Sequence, residues 1–122
     1  MASVATRNTG AEIAVRSLVH RLGFRFSLGR TDLPGKPDLV FVSRRKVIFV
    51  HGCFWHGHSC RYGRLPKSRI EYWGPKIAQN RVRDRLQAKA LRKAGWSVMV
   101  VWQCQLKKLD DLDTRVDHFL NG

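Results

Sequence analysis

The sequence predicts an α/β domain built on a central mixed β-sheet flanked by helices. Three observations predict it. Two apolar runs, 38–42 and 47–51, are separated only by a polar turn and read as a β-hairpin. A third apolar run, 97–102, follows a long helical pattern rather than a turn, so strands and helices share one unit. The chain has 122 residues, enough for one core and not for two, so 1–122 is expected to be a single domain.

The elements follow in order. Ala11, Val15, Leu18, Val19 and Leu22 recur at helical spacing, with Thr9 as N-cap and Gly23 as stop, which predicts a helix over 9–22. Phe24 and Phe26 alternate with polar residues and suggest a short strand. Gly29, Pro34, Gly35 and Pro37 make 27–37 a loop. The hairpin comes next, then a basic loop over 61–69. A helix is predicted over 76–94, with Pro75 suited to its first turn and Gly95 to its end. Ala78, Val82, Leu86 and Ala90 form its apolar stripe, with Arg and Lys on the other faces. The strand 97–102 and a last helix over about 110–120 complete the chain.

Charge narrows the partner. Lys and Arg number 23 against 9 acids, for a formal charge of +14 spread along the chain. A compact, strongly basic domain most often meets nucleic acid. No apolar run approaches the ~20 residues of a membrane span, and the opening MASVATRNTG has no apolar signal-peptide core, which argues against secretion. The acids are informative because they are scarce. Asp110, Asp111, Asp113 and Asp117 belong to the last helix, read as solvated with cap-like aspartates. Asp84 lies among Arg81, Arg83 and Arg85 and reads as a surface ion-pair partner. Glu12, Asp32, Asp38 and Glu71 are left as acids able to bind a cation.

The stretch VIFVHGCFWHGHSC, Val47 to Cys60, is the most unusual part of the chain. Apolar strands usually end in Gly, Asn or Ser turns; this one ends in metal-ligand side chains and aromatics. Cys53, His58 and Cys60 offer two thiolates and an imidazole. A tetrahedral zinc needs a fourth ligand, and Cys104 is the one remaining cysteine. If 97–102 runs parallel to 47–51, both strand ends meet at one edge of the sheet and a closed, structural Zn²⁺ site results. The alternative is that the cysteines are small buried hydrophobes and His58 a loop residue.

His51 and His56 stay outside that shell, and imidazoles so placed can take up or give a proton near neutral pH. The hairpin sets the start of one strand beside the end of the other, so Asp38 is expected near Val50 and His51. A carboxylate and a backbone carbonyl can hold Mg²⁺ with waters and phosphate oxygens. Glu12, on the first helix, is a candidate water-mediated partner. For Asp38 the plainer reading is a turn residue after proline.

The residues PGKPDLV, VIFVHGCFWHGHSC, RIEYWGPKIAQNRVRD and GWSVMVVWQC resemble the very short patch repair endonucleases, over nearly the whole chain from about Ala5 to Leu106. The resemblance implies a restriction-endonuclease-like fold, related to the PD-(D/E)xK nucleases. It implies a bacterial, cytoplasmic, nucleoid-associated and monomeric enzyme. Such an enzyme uses Mg²⁺ to nick duplex DNA 5′ of the thymine in T·G mismatches left by deaminated 5-methylcytosine, with a structural zinc beside the site. By motif, Asp38 is the metal-binding aspartate and His51 and His56 the active-site histidines, with His56 as general base. Glu12 is the first-helix acid, and Cys53, His58, Cys60 and Cys104 are the zinc ligands. Two departures stand out: better-known members carry threonine where this chain has Val50, and the acid and lysine usual in the wider superfamily are absent.

Phe54 and Trp55 in the turn, and Trp73 before the basic helix, are candidates to wedge between base steps. Unstacking costs a few kcal/mol and costs less beside a poorly stacked mismatch. Core packing is the plainer reading, favoured for Trp96 and Trp102. Lys76 and Asn80, with the arginines of 81–85, are candidates for phosphate or base-edge contacts. Two other functions fit part of this pattern: a non-catalytic, zinc-stapled DNA-binding module, and a related nicking enzyme with a different DNA target.

Overall fold

The computed structural model describes residues 9–28, 32–53 and 70–122. Three strands, β1 (Leu39–Phe41), β2 (Lys46–His51) and β3 (Ser97–Trp102), form one sheet in that spatial order. β1 runs antiparallel to β2, and β3 runs parallel to it, so the sheet is mixed as expected. The parallel pair is joined through the helix α2 (Ile70–Lys93), because parallel neighbours need a crossover and not a tight turn. The helices α1 (Thr9–Arg21) and α3 (Leu109–Asn121) begin and end the described fold.

Alternation along the strands sorts the core into two clusters. Leu39, Phe41, Ile48, Val50 and Val101 face α1 and α3, and pack with Ala11, Val15, Leu18, Val19, Leu112, Val116 and Leu120. Val40, Val47 and Phe49 face the other way, with Leu91 of α2 and Trp96. The turn between β1 and β2 is a short 3-10 segment over Val42–Arg44, closed by Arg45 in the left-handed region (φ 53). Arg44 Nη1 donates to the Leu120 carbonyl at 2.9 Å, and Lys46 Nζ donates to the carbonyls of Phe119 and Gly122. Two cations of the hairpin thus satisfy the last carbonyls of α3, where the helix dipole favours positive charge.

The structure corrects several boundaries. Phe24 and Phe26 form no strand; only Ser27 bridges to Val40, by two backbone hydrogen bonds of 2.8 and 3.0 Å, while both rings pack on the α1–α3 core. α2 starts at Ile70, so Pro75 lies inside the helix and not at its first position. Lacking an N–H, Pro75 removes one intrahelical bond near the start, which a 24-residue helix tolerates. The end of α2 is as expected. Gly95 adopts φ 95, and the Trp96 N–H returns to the Leu91 carbonyl at 3.0 Å. α3 carries Asp110 and Asp111 in its first turn, but it is not merely solvated, since Leu112, Val116 and Leu120 are buried.

The largest correction concerns which face of α2 is buried. Val82 and Leu86 are 46% and 61% exposed, and Ala78 and Ala90 are also exposed. The buried arc carries Ile77 and Leu91, with half-buried Asp84 and Ala88 between them. Steps of four residues advance by 400°, so the Ala78–Ala90 stripe drifts around the helix. Steps of seven and eleven from Ile77, to Asp84 and Ala88, stay on one line.

The loop before β1 seats on α2. Gly35 has φ 76, and a Cβ there would meet the Gln87 side chain at 2.8 Å. Glycine thus supplies both the left-handed turn and the close approach. That approach brings the chain down onto α2 three residues before Asp38.

Candidate active site

Asp38 is placed by the end of the β1–β2 ladder. Ser27 takes both backbone groups of Val40, so Leu39 and Phe41 are the residues whose backbone groups turn toward β2. Continuing that register sets Pro37 opposite Val50. Pro37 has no N–H to give to the Val50 carbonyl, and the ladder stops. In its place Asp38 Oδ2 accepts a hydrogen bond from the Val50 N–H at 2.7 Å. The Val50 carbonyl leaves the strand on the same edge as its N–H, so a carboxylate and a backbone oxygen converge at one strand end. Hard oxygen donors of this kind suit Mg²⁺. Asp38 thus lies beside Val50, as the hairpin required.

Among the described residues, no group of three or more His, Cys, Asp and Glu side chains gathers closely enough to hold an ion alone. Mg²⁺ typically takes one or two carboxylates and fills its other positions with waters and substrate phosphates, so the Asp38–Val50 pair fits that ion and not a protein-only cage.

His51 ends β2, paired in register with Trp102 of β3. It is 7% exposed, on the face of Val47 and Phe49, with its ring 5.6 Å from the Phe49 ring and 5.2 Å from the Trp102 ring. Across the gap to α2, His51 Nδ1 lies 4.0 Å from Asp84 Oδ2. The pair opens into a cavity of about 320 Å³ between the ends of β2 and β3 and the flank of α2. Phe49, Val100 and Trp102 line its sheet side, and Arg81, Arg85 and Arg92 its helix side.

The sequence neighbours of Asp84 suggest a surface ion-pair partner; the structure half-buries it and sets its carboxylate facing a histidine of β2. The signal that finds it is helical phase: Asp84 is seven residues after buried Ile77 and so shares its inward line.

Glu12 is buried, and its Oε1 lies 3.3 Å from Arg16 Nη2, one turn on. α1 covers the sheet face opposite His51, although Ala11 shares a core cluster with Val50. Trp73, Lys76 and Asn80 fall on one line of α2. The Trp73 ring meets Tyr72 edge-on at 4.9 Å, Lys76 Nζ lies 4.9 Å over the Tyr72 ring, and Asn80 Oδ1 accepts from Arg83 Nη2 at 2.8 Å. Trp96 is buried, as expected; Trp102 is only half-buried and lines the cavity.

Of the expected zinc ligands, Cys53 and Cys104 are described. β2 and β3 are parallel with His51 opposite Trp102, so each cysteine lies two residues beyond the last paired position, at the same edge of the sheet. Cys53 is buried, and Cys104 sits in a 3-10 segment, Gln103–Lys107, that the sequence did not suggest. Two thiols brought to one edge suit a soft-ligand metal such as zinc. His58 and Cys60 lie outside the described residues, as do Phe54, Trp55 and His56.

Comparison with known proteins gives a consistent picture. A family model described as DNA mismatch endonuclease Vsr matches residues 1–62. The type II nicking enzyme V.XorIIP of Xanthomonas oryzae is 58% identical over 121 residues, spanning 99% of this chain and 89% of that protein. The DNA mismatch endonuclease Vsr of Escherichia coli is 41% identical over 127 residues, spanning 100% of this chain and 81% of that protein. The type II nicking enzyme V.NmeAIP of Neisseria meningitidis is 41% identical over 107 residues, spanning 88% of this chain and 76% of that protein.

Proposed function

The chain belongs to the Vsr family of DNA mismatch endonucleases, and we propose that it nicks one strand of duplex DNA 5′ of the thymine in T·G mismatches, in a reaction that requires Mg²⁺. The observation that carries this reading is the Asp38–Val50 anchor, with His51 as the next residue and Asp84 facing it. A module that only bound DNA would have no use for a carboxylate held at a strand end beside a histidine in a chain of charge +14.

The residues divide the work. Asp38, through its carboxylate, and Val50, through its carbonyl, would hold Mg²⁺; when bound, that ion polarises the phosphate and lowers the pKa of a coordinated water. If only the main-chain carbonyl of Val50 meets the ion, valine should serve at this position; if a hydroxyl were needed there, activity would be lost. Asp84 faces the His51 ring from α2, with its Oδ2 4.0 Å from Nδ1. The other ring nitrogen of His51 would then serve the phosphodiester, to stabilise charge or give a proton to the leaving oxygen. His56 is assigned as general base and Glu12 as an assisting carboxylate. Cys53, His58, Cys60 and Cys104 would bind a structural Zn²⁺ that ties the turn after β2 to the segment after β3. Phe54, Trp55 and Trp73 are the proposed wedges at the mismatch, with Lys76 and Asn80 contacting the adjacent duplex.

The test is a nicking assay on labelled duplexes that differ only in a T·G or a paired T·A step, with Mg²⁺ and with EDTA. One cut 5′ of the mismatched thymine, only with Mg²⁺, is expected. No cutting under any condition would refute the reading. Equal cutting of both duplexes would favour a second one, a nicking enzyme with a different DNA target, which the name of the 58% identical relative supports.

A further inference from the structure

The flank of α2 beside the His51–Asp84 pair carries more positive charge than that pair needs. Arg81, Arg85 and Arg92 lie at positions i, i+4 and i+11, one continuous line on the helix, and all three line the cavity into which His51 opens. Each is exposed, and among the described residues none of the three has an ion-pair partner. Asp84, the acid on this flank, is turned toward His51. Trp73, Lys76 and Asn80 lie along the other side of the buried arc, so the two flanks of α2 present different chemistry.

We propose that Arg81, Arg85 and Arg92 form a phosphate track that holds the DNA backbone leading away from the cut, a binding surface separate from the aromatic and amide side chains that meet the bases. From Arg81 to Arg92 the helix rises about 16 Å at 1.5 Å per residue. That reaches along several phosphates of one strand, spaced at about 3.4 Å of helix axis. Guanidinium groups suit the task because their forked donors match phosphate oxygens. Phe49, Val100 and Trp102 behind them supply a low-dielectric wall that strengthens the attraction. The track rests on the nuclease reading for its orientation toward a scissile phosphate, but its binding role can be measured without any cutting.

The experiment is the binding of the full chain to labelled T·G and T·A duplexes in EDTA, across a series of salt concentrations. Arg81→Gln, Arg85→Gln and Arg92→Gln are compared with Lys93→Gln and with Arg115→Gln on α3. Each track variant is expected to lower the slope of log K against log [salt] by about 0.9. Affinity should fall equally for both duplexes, because phosphate contacts carry no sequence information. Arg→Lys at the same positions should recover the slope, and the two control variants should keep it. Under Mg²⁺, Arg92→Gln should raise KM by the same factor by which it weakens binding. Unchanged slopes in the track variants, or equal losses in the controls, would overturn the track. A wild-type chain that binds with these slopes yet cuts no duplex would refute the nuclease reading while supporting the track.

Discussion

Under α1 and α3 the sheet buries Leu39, Phe41, Ile48, Val50 and Val101 against two helices, whereas under α2 it buries Val40, Val47 and Phe49 against Leu91 and Trp96. One face is closed by apolar side chains from two helices; among the described residues the other is spanned by α2 alone, which carries Asp84 and arginines where a core helix would carry leucines. Full burial of a Val, Leu or Phe side chain contributes about 1.5–3 kcal/mol, so the first face supplies most of the stability. Among the described residues the second face borders the cavity that His51 and Asp84 line. On the proposed roles, and Glu12 of α1 apart, this small domain would separate holding from acting by the side of the sheet, and substitutions should separate the same way.

The largest expected effect is on the open face. His51→Ala should slow single-turnover nicking of a T·G duplex by about 10²–10⁴, the usual contribution of a proton-transferring side chain, with melting close to wild type. A large drop in melting temperature would instead make His51 part of the scaffold. On the closed face, Leu18→Ala should cost roughly 2–5 kcal/mol of stability in denaturant titration. At a temperature where it is folded, it should nick at the wild-type rate; a slower folded variant would break the separation. Asp84→Asn keeps the shape and removes the charge facing His51, so nicking should slow by no more than about fivefold, the loss of roughly 1 kcal/mol from an ion pair, without loss of DNA affinity. Gly35→Ala should cost roughly 1 kcal/mol, from the left-handed backbone and the collision with Gln87. The smallest effect belongs to the outer side of α2, where Leu86→Lys should change stability by no more than about 0.5 kcal/mol, because Leu86 packs in neither core cluster.

Elements with one strong period were legible in the sequence. α1, the hairpin and β3 each show a clean helical or strand pattern closed by Gly23, the polar turn or Gly95, and each lies within a residue or two of its expected bounds. Asp38 was legible for the same reason, since a short hairpin leaves little freedom in which residues meet at its ends. α2 was harder. Pro75 resembles a helix start, and the Ala78–Ala90 stripe resembles a buried face, yet the sheet selects the line of Ile77, Asp84, Ala88 and Leu91. That line is weak in hydrophobicity because Asp84 and Ala88 stand on it. Asp84 was hidden by this conflict: a polar residue on an inward face lowers the very signal by which inward faces are found. The failed strand at Phe24 and Phe26 has a different cause, because those rings face the α1–α3 core whether or not the backbone joins the ladder.

The central claim is that Asp38, anchored on the Val50 amide, supports chemistry at the end of β2 and not the fold. It is tested most directly by measuring single-turnover nicking of a T·G duplex by Asp38→Ala in Mg²⁺, beside binding of the same duplex in EDTA. The account predicts that cutting is lost while binding stays close to wild type. Wild-type cutting by Asp38→Ala would contradict it.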